Sequence, residues 1–289
     1  MSSLKPDSVI ACLDDPDHVQ AVLDASMWSA KALHAPIGLL HATPNTHRMM
    51  AVDYSGCLHG GEGEHLLSQF ADEDGMSNGR LREQGRALLK QSDAYCAERQ
   101  AKCGRYEHDI YALHRHSSVA ESLDYVDDVA QLIVIGHEVT GKSTLSGLIR
   151  PTTCPILVTH TKFVPPKSAL FAFDNKPTCQ ALLEWLCKTN LMRGMSVHIV
   201  MVGKDTTANK DALREAYARL KQAGMDTQKS LVDCNDVTSA LLYYQKQHDV
   251  EMLMTGAFCD SRLKEWMRGS DTQKLLDGNQ MPYLLYPKS

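Results

Sequence analysis

The sequence predicts an α/β fold made of two doubly wound, parallel five-stranded sheets in tandem. Two observations carry that prediction. Short apolar runs alternate with amphipathic helical patterns along the chain, the signature of a parallel sheet covered on both faces. The order of these elements then repeats once, and a missed repeat would misassign the whole fold.

The two halves open alike. VIACLD (Val9–Asp14) and ALFAFD (Ala169–Asp174) are apolar runs ending in aspartate, each followed by a proline, Pro16 or Pro177. Helical patterns follow, with Val19, Val22, Leu23 and Leu33 in the first and Leu182, Leu183 and Leu186 in the second. Proline suits a first helical turn, where its missing N–H would have no partner anyway. Ile37–His41 and Val197–Val202 read as second strands, and Arg82–Cys103 and Lys210–Ala223 as amphipathic helices. Glu107–Leu113 and Thr227–Asp233 read as third strands. Helices over Ser117–Val129 and Asp236–Gln247 come next, the former opened by a capping box of Ser118 and Glu121. LIVIG (Leu132–Gly136) and MLMTG (Met252–Gly256) are apolar runs closed by glycine. CPILVTH (Cys154–His160) and MPYLLY (Met281–Tyr286) each carry proline, then a strand. Thr161–Lys167, TKFVPPK, is the join, giving two domains over 1–162 and 166–289.

Composition excludes several classes. The 289 residues are 43% hydrophobic and 22% charged, with net charge −5, so the chain offers no electrostatic footprint for a nucleic-acid backbone. No apolar run reaches the ~20 residues of a membrane-spanning helix. The start, MSSLKPDSVIACLDD, is not a basic-then-apolar export signal, so a cytoplasmic protein is expected. Nine cysteines without a C-x-x-C pair then read as reduced thiols.

The arrangement resembles a tandem universal stress protein, two UspA-like domains in one chain, over nearly its full length. The family's landmark is a strand-end loop G-x2-G-x9-G-[ST], then a helix and a last strand of C-P-V-L-V type. In the second half Gly256 is followed thirteen residues later by Gly269 and then Ser270, and Pro282 lies twelve residues beyond Ser270. Cys259 stands where the loop's second glycine belongs. The resemblance implies an adenine-nucleotide alpha-hydrolase-like, Rossmann-type fold and an ATP or other adenine-nucleotide site served by magnesium. It places Asp174 against the adenosine part, backbone around Val200 to Val202 against adenine, and Gly256, Gly269 and Ser270 around the phosphates. Such a loop has a physical logic: glycines let backbone N–H groups approach phosphate, and a helix start adds donors and the positive end of its dipole. A side chain at Cys259 obstructs that approach. The family also implies a stress-tolerance role, a protein partner, and pairing of the two halves as a pseudo-dimer through the last strands, Ile156–His160 and Tyr283–Tyr286. A further homodimer is compatible with this pairing.

The first half carries a different signal. Gly136, Gly141, Lys142 and Ser143 in GHEVTGKS match the P-loop pattern G-x-x-x-x-G-K-[ST] in full. Yet Ser143 lies twelve residues before Pro155, as Ser270 lies twelve before Pro282, so these serines are repeat partners. Gly136 to Ser143 spans seven residues against fourteen for Gly256 to Ser270. The first phosphate loop therefore reads as shortened by seven residues, which leaves the P-loop match behind. A working P-loop follows an early strand and answers to a metal-binding aspartate on a later one. Here the segment follows the fourth strand, and Pro151 ends its helix. Nucleotide hydrolysis through Lys142 and Ser143 is the alternative reading, and a partner-binding scaffold without nucleotide is another.

Remaining candidates have bland counterparts. Thr43–Gly79, rich in Gly, His and acids, reads as a surface loop with a short helix around His65–Phe70. Its His47, Cys57, His59 and His65 match no recognised zinc spacing, so no metal site is expected. Asp15 reads as the N-cap before Pro16, and Asp14 as the adenosine-side position of a degenerate first site with Gly136, Gly141, Lys142 and Ser143. No G-x-S-x-G elbow points to a hydrolase, and no general base is visible, so catalysis beyond slow, incidental ATP hydrolysis is not expected. Cys259, beside Arg262 and Lys264, is the thiol with the most activating surroundings, against the default of a buried, inert one.

Overall fold

Alternate residues of the first strand set the layering. Val9, Ala11 and Leu13 join one hydrophobic core and Ile10 and Cys12 the other, so both faces of the sheet are buried. In the computed structural model the described residues are 4–14, 16–43, 62–103, 109–137, 152–256 and 281–287, with the side chains of 62–78 and Cys103 outside that description. The strands are β1 (Ser8–Cys12), β2 (Ile37–Ala42), β3 (Ile110–Arg115), β4 (Ala130–Gly136), β5 (Ile156–Thr159), β6 (Ser168–Ala172), β7 (Ser196–Val202), β8 (Asp226–Val232), β9 (Met252–Gly256) and β10 (Tyr283–Tyr286). The described helices are α1 (Val19–Leu33), α2 (Glu62–Cys103), α3 (Val119–Asp127), α4 (Pro177–Lys188), α5 (Thr207–Gln222) and α6 (Val237–Gln247).

The strands lie in the order β3-β2-β1-β4-β5-β10-β9-β6-β7-β8. The two five-stranded sets are both present, in the same order, and they are joined edge to edge in one ten-stranded sheet. Neighbours within each set are parallel, as crossover helices require, while β5 and β10 meet antiparallel with Leu284 opposite Leu157. The halves are thus related as two subunits would be across a two-fold axis. Residues from α1, α2, α4 and α5 pack into one core and residues from α3 and α6 into the other. Within each set the chain reverses its direction of winding between the first and fourth strands, at β1/β4 and β6/β9, which opens a crevice beyond their carboxyl ends.

Local signals were borne out at several ends. Ser118 accepts from the Glu121 amide, and Glu121 returns a bond to the Ser118 amide. Pro177 stands at the first position of α4. Two local readings change. Helix α2 starts at Glu62, so residues 62–79 are helical where a loop with only a short helix was expected; Gly75 and Gly79 count against helix by about 1 kcal/mol each, a weak preference that the rest of a long helix can override. Helix α1 starts at Val19 with His18 as N-cap, so the cap is not at Asp15, which itself lies outside the described residues. The residues between Pro16 and His18 form turns before the helix begins.

Candidate functional site

The carboxyl ends of the parallel strands gather the predicted positions along one edge of the sheet. In the second half Asp174 follows β6, Val200 and Val202 end β7, and Gly256 ends β9; these are adjacent strands in the order β9-β6-β7. Asp174 Oδ1 accepts the Lys176 amide at 3.0 Å, and Oδ2 lies 3.4 Å from the Lys176 ammonium. Asn175 between them is left-handed, with φ 61°, a turn that asparagine tolerates. The Asp174 side chain remains about a third exposed. The Val200 carbonyl accepts the Phe173 amide at 2.9 Å, which ties the strand end that carries Asp174 to β7. Gly256 is buried and pairs with Tyr286 on β10. Cys259, Gly269 and Ser270 lie outside the described residues.

The matching corner of the first half is built differently. Asp14 follows β1, and its carboxylate points into the protein: Oδ1 accepts the Ala42 amide at 2.9 Å, and Cys12 Sγ donates to Oδ2 at 3.3 Å. His41 Nδ1 lies 2.8 Å from the Leu13 carbonyl and 3.2 Å from Asp14 Oδ1, so Nδ1 carries the proton. Burial opposes charge on His41, but the hydrogen bonds to Asp14 and Leu13 and the attraction of Asp14 outweigh it and raise its pKa. Gly136 ends β4 directly under His18: a Cβ at Gly136 would stand 2.6 Å from His18 Cβ. His18 is itself buried, so a side chain fills the crevice between β1 and β4. Gly141, Lys142 and Ser143 lie outside the described residues.

Several features escaped the sequence reading. His114 at the end of β3 approaches Thr43 Oγ1 at 2.9 Å through Nε2, and its ring lies 4.7 Å from that of His116 and 5.6 Å from that of His41. Burial, then the positive potential of His116, His41, Arg86 and Arg82, lowers the His114 pKa to about 4. Alternating histidines at a strand end were visible in the sequence, but nothing there showed that α2 would cover them. Across the seam His137 Nδ1 meets Tyr283 Oη at 2.8 Å, and the His137 and His160 rings stack at 4.6 Å.

Cysteine chemistry is quiet among the described residues. Burial first, then Asp14, pushes the Cys12 thiol well above its usual range, burial also raises Cys154 and Cys187, and Cys96 stands at about 12. No group of three or more His, Cys, Asp or Glu among the described residues is arranged to hold a metal ion. His47, Cys57 and His59, and the His65 side chain, lie outside them. No described helix is long and apolar enough to cross a membrane. Surface grooves of about 560 Å³, between α2 and β3, and about 600 Å³, between α6 and the end of β8, are lined by none of Asp174, Val200, Val202 and Gly256, although Val232 in the second pairs with Val202.

Comparison with known proteins gives a consistent result. No protein-family model matches the chain. A universal stress protein of Synechocystis sp. is 26% identical over 96% of this chain and 99% of its own length. The crystal structure of a universal stress protein from Archaeoglobus fulgidus covers 99% of this chain and 98% of its own, with a TM-score of 0.63 at 13% identity. That of a putative universal stress protein from Pseudomonas aeruginosa covers 97% and 92%, with a TM-score of 0.52 at 14% identity. At those identities the two structures speak for the fold.

Proposed function

We propose that this chain, a universal stress protein in fold and in its full-length relative, is a non-catalytic binding protein whose second half takes an adenine nucleotide and whose bound state is read by a protein partner. Its role is stress tolerance. The contrast between the two crevices carries the reading. In the first half Asp14 is committed to the Ala42 amide and His41, and His18 lies on Gly136. In the second half the equivalent carboxylate, Asp174, keeps a third of its side chain in solvent, and its partners are the amide and the exposed ammonium of Lys176 in its own turn, so ribose hydroxyls could reach its open side. The Val200 to Val202 backbone would take the adenine edge. Gly256, Gly269 and Ser270 would take the phosphates, and magnesium would screen the phosphate charge.

Releasing bound small molecules by denaturation, then measuring thermal stability with ATP and magnesium, tests the proposal. A ligand at a hundred times its Kd adds about 2.7 kcal/mol of stability. A shift lost in Ser270→Trp and kept in Lys142→Ala supports the second-half site. No released nucleotide and no shift at millimolar ATP would leave the scaffold reading. Rapid ATP turnover abolished by Lys142→Ala would favour a P-loop hydrolase using Lys142 and Ser143 instead.

A further inference from the structure

Helix α2 lies directly on the histidines at the ends of β2 and β3. A Cβ on Gly85 would stand 2.6 Å from His114 Nε2 and 2.7 Å from His41 Cδ2, so only a glycine lets the helix backbone come this close. Arg82 and Arg86 flank Gly85 on α2, four residues apart, and so share one helix face. His114 is the penultimate residue of β3 and His116 lies just past the strand's end; their rings meet edge to face at 4.7 Å, and Arg82 and Arg86 of α2 act electrostatically on both. Both arginines and His116 are exposed and His114 is half-buried, so the cluster opens to solvent. The groove beside it is lined by Arg86, Lys90 and Asp93 of α2 and by Lys5, which pairs with Asp109, so the uncompensated positive charge is concentrated at the Arg82 and Arg86 end.

This is a concentration of positive charge in a chain whose net charge is −5. The carboxylate facing it, Asp14, is held by the Ala42 amide and His41. We propose that Arg82, Arg86, His114 and His116 form a binding site for a small phosphate-bearing anion, separate from the nucleotide pocket of the second half. Two guanidinium groups match phosphate oxygens through paired N–H donors, and imidazoles add further donors once protonated. The electrostatics agree. Burial, His116, His41, Arg86 and Arg82 all work against a proton on His114, and burial, Arg82 and Arg86 against one on His116. An anion placed among them reverses the electrostatic part and draws protons onto both rings. Thr43 Oγ1 can donate to Nε2 of neutral His114 or accept from it when charged, so that bond survives the change. By linkage, the anion then binds more tightly as the pH falls.

The test follows assigned histidine ring signals in the full chain by NMR during titration with sodium tripolyphosphate at fixed ionic strength. The signals of His114 and His116 should move together and saturate, their apparent pKa values should rise, and binding should be roughly tenfold tighter at about pH 6 than at about pH 8, as for uptake of one further proton. Arg82→Ala/Arg86→Ala removes two exposed side chains and should weaken binding by roughly tenfold or more while circular dichroism stays unchanged. The response should persist in Ser270→Trp. Rings that do not move at millimolar tripolyphosphate, an unchanged response in the double variant, or a response lost in Ser270→Trp would each overturn the assignment.

Discussion

His114 and His41 sit side by side yet respond to pH in opposite senses. Burial and neighbouring cations lower the His114 pKa to about 4, and burial is also the first cause that lowers His116 and His198. An unfolded chain takes up those protons near pH 6.5 and the folded one resists, so these groups withdraw stability as the pH falls from about 6.5 toward 4. His41, whose pKa is raised, adds stability that is fully present below its unfolded pKa and fades as the pH rises through its folded value. Urea unfolding in phosphate-free buffer should therefore show a loss of stability on acidification that is smaller in His114→Gln than in wild type. Equal pH slopes in the two proteins would mean that His114 is not held neutral. Glycines give a second residue-level contrast. Gly136→Ala drives a Cβ to 2.6 Å from His18 Cβ and should cost about 1–3 kcal/mol by urea midpoint. Gly79→Ala meets nothing within 4 Å on a helix and should be neutral or stabilising by up to about 1 kcal/mol.

Helices are held to the sheet at their ends as well as along their faces. Asp127, the last residue of α3, reaches the chain that enters β5: its carboxylate accepts the Thr153 amide at 2.9 Å, the Thr153 hydroxyl at 2.7 Å and the Cys154 amide at 3.3 Å. Asp127→Ala leaves those amides without their acceptor and should cost about 1–3 kcal/mol in chemical denaturation, whereas Asp127→Asn, which keeps one carbonyl oxygen, should cost less. None of this long-range bonding was legible, because a sequence shows which residues can cap but not which amides they will meet 26 residues away. Local caps were legible: Ser118 with Glu121 needs only the spacing of one helical turn. The strands were legible too, since burial on both faces leaves unbroken apolar runs such as LIVI in β4. Helix α2 was read twenty residues short because Gly63, Gly75 and Gly79 look like loop residues when only propensity is weighed. At the site, Asp14 and Asp174 were located correctly at their strand ends, but their opposite orientations were not, because these depend on His41, Lys176 and the turn at Asn175.

Across the whole molecule the antiparallel pairing of β5 with β10 decides whether the halves behave as one unit. Ile156, Leu157, Val158, Tyr283, Leu284 and Leu285 are all 0–2% exposed, and they form the central strands of a continuous sheet. Leu157 and Leu284 share one core, and Ile156, Val158, Tyr283 and Leu285 the other, so parting the halves would break the β5–β10 ladder and open apolar surface on both faces of the sheet. The bond from Tyr283 Oη to His137 crosses the same seam beside the end of β4. Calorimetry of the full chain should therefore show one cooperative transition, with calorimetric and van't Hoff enthalpies equal. Cutting the chain at the join, into 1–162 and 166–289, leaves each half with an apolar, unpaired strand edge, which is a template for self-pairing. The antiparallel register supplies the geometry, since a strand that meets its counterpart antiparallel can meet its own copy in the same way. Light scattering on each purified half should show dimers or larger species, and mixing the two should return a one-to-one complex. Well-folded monomers at micromolar concentration, or two separate transitions in the intact chain, would show that the seam does not bind the halves into a single cooperative body.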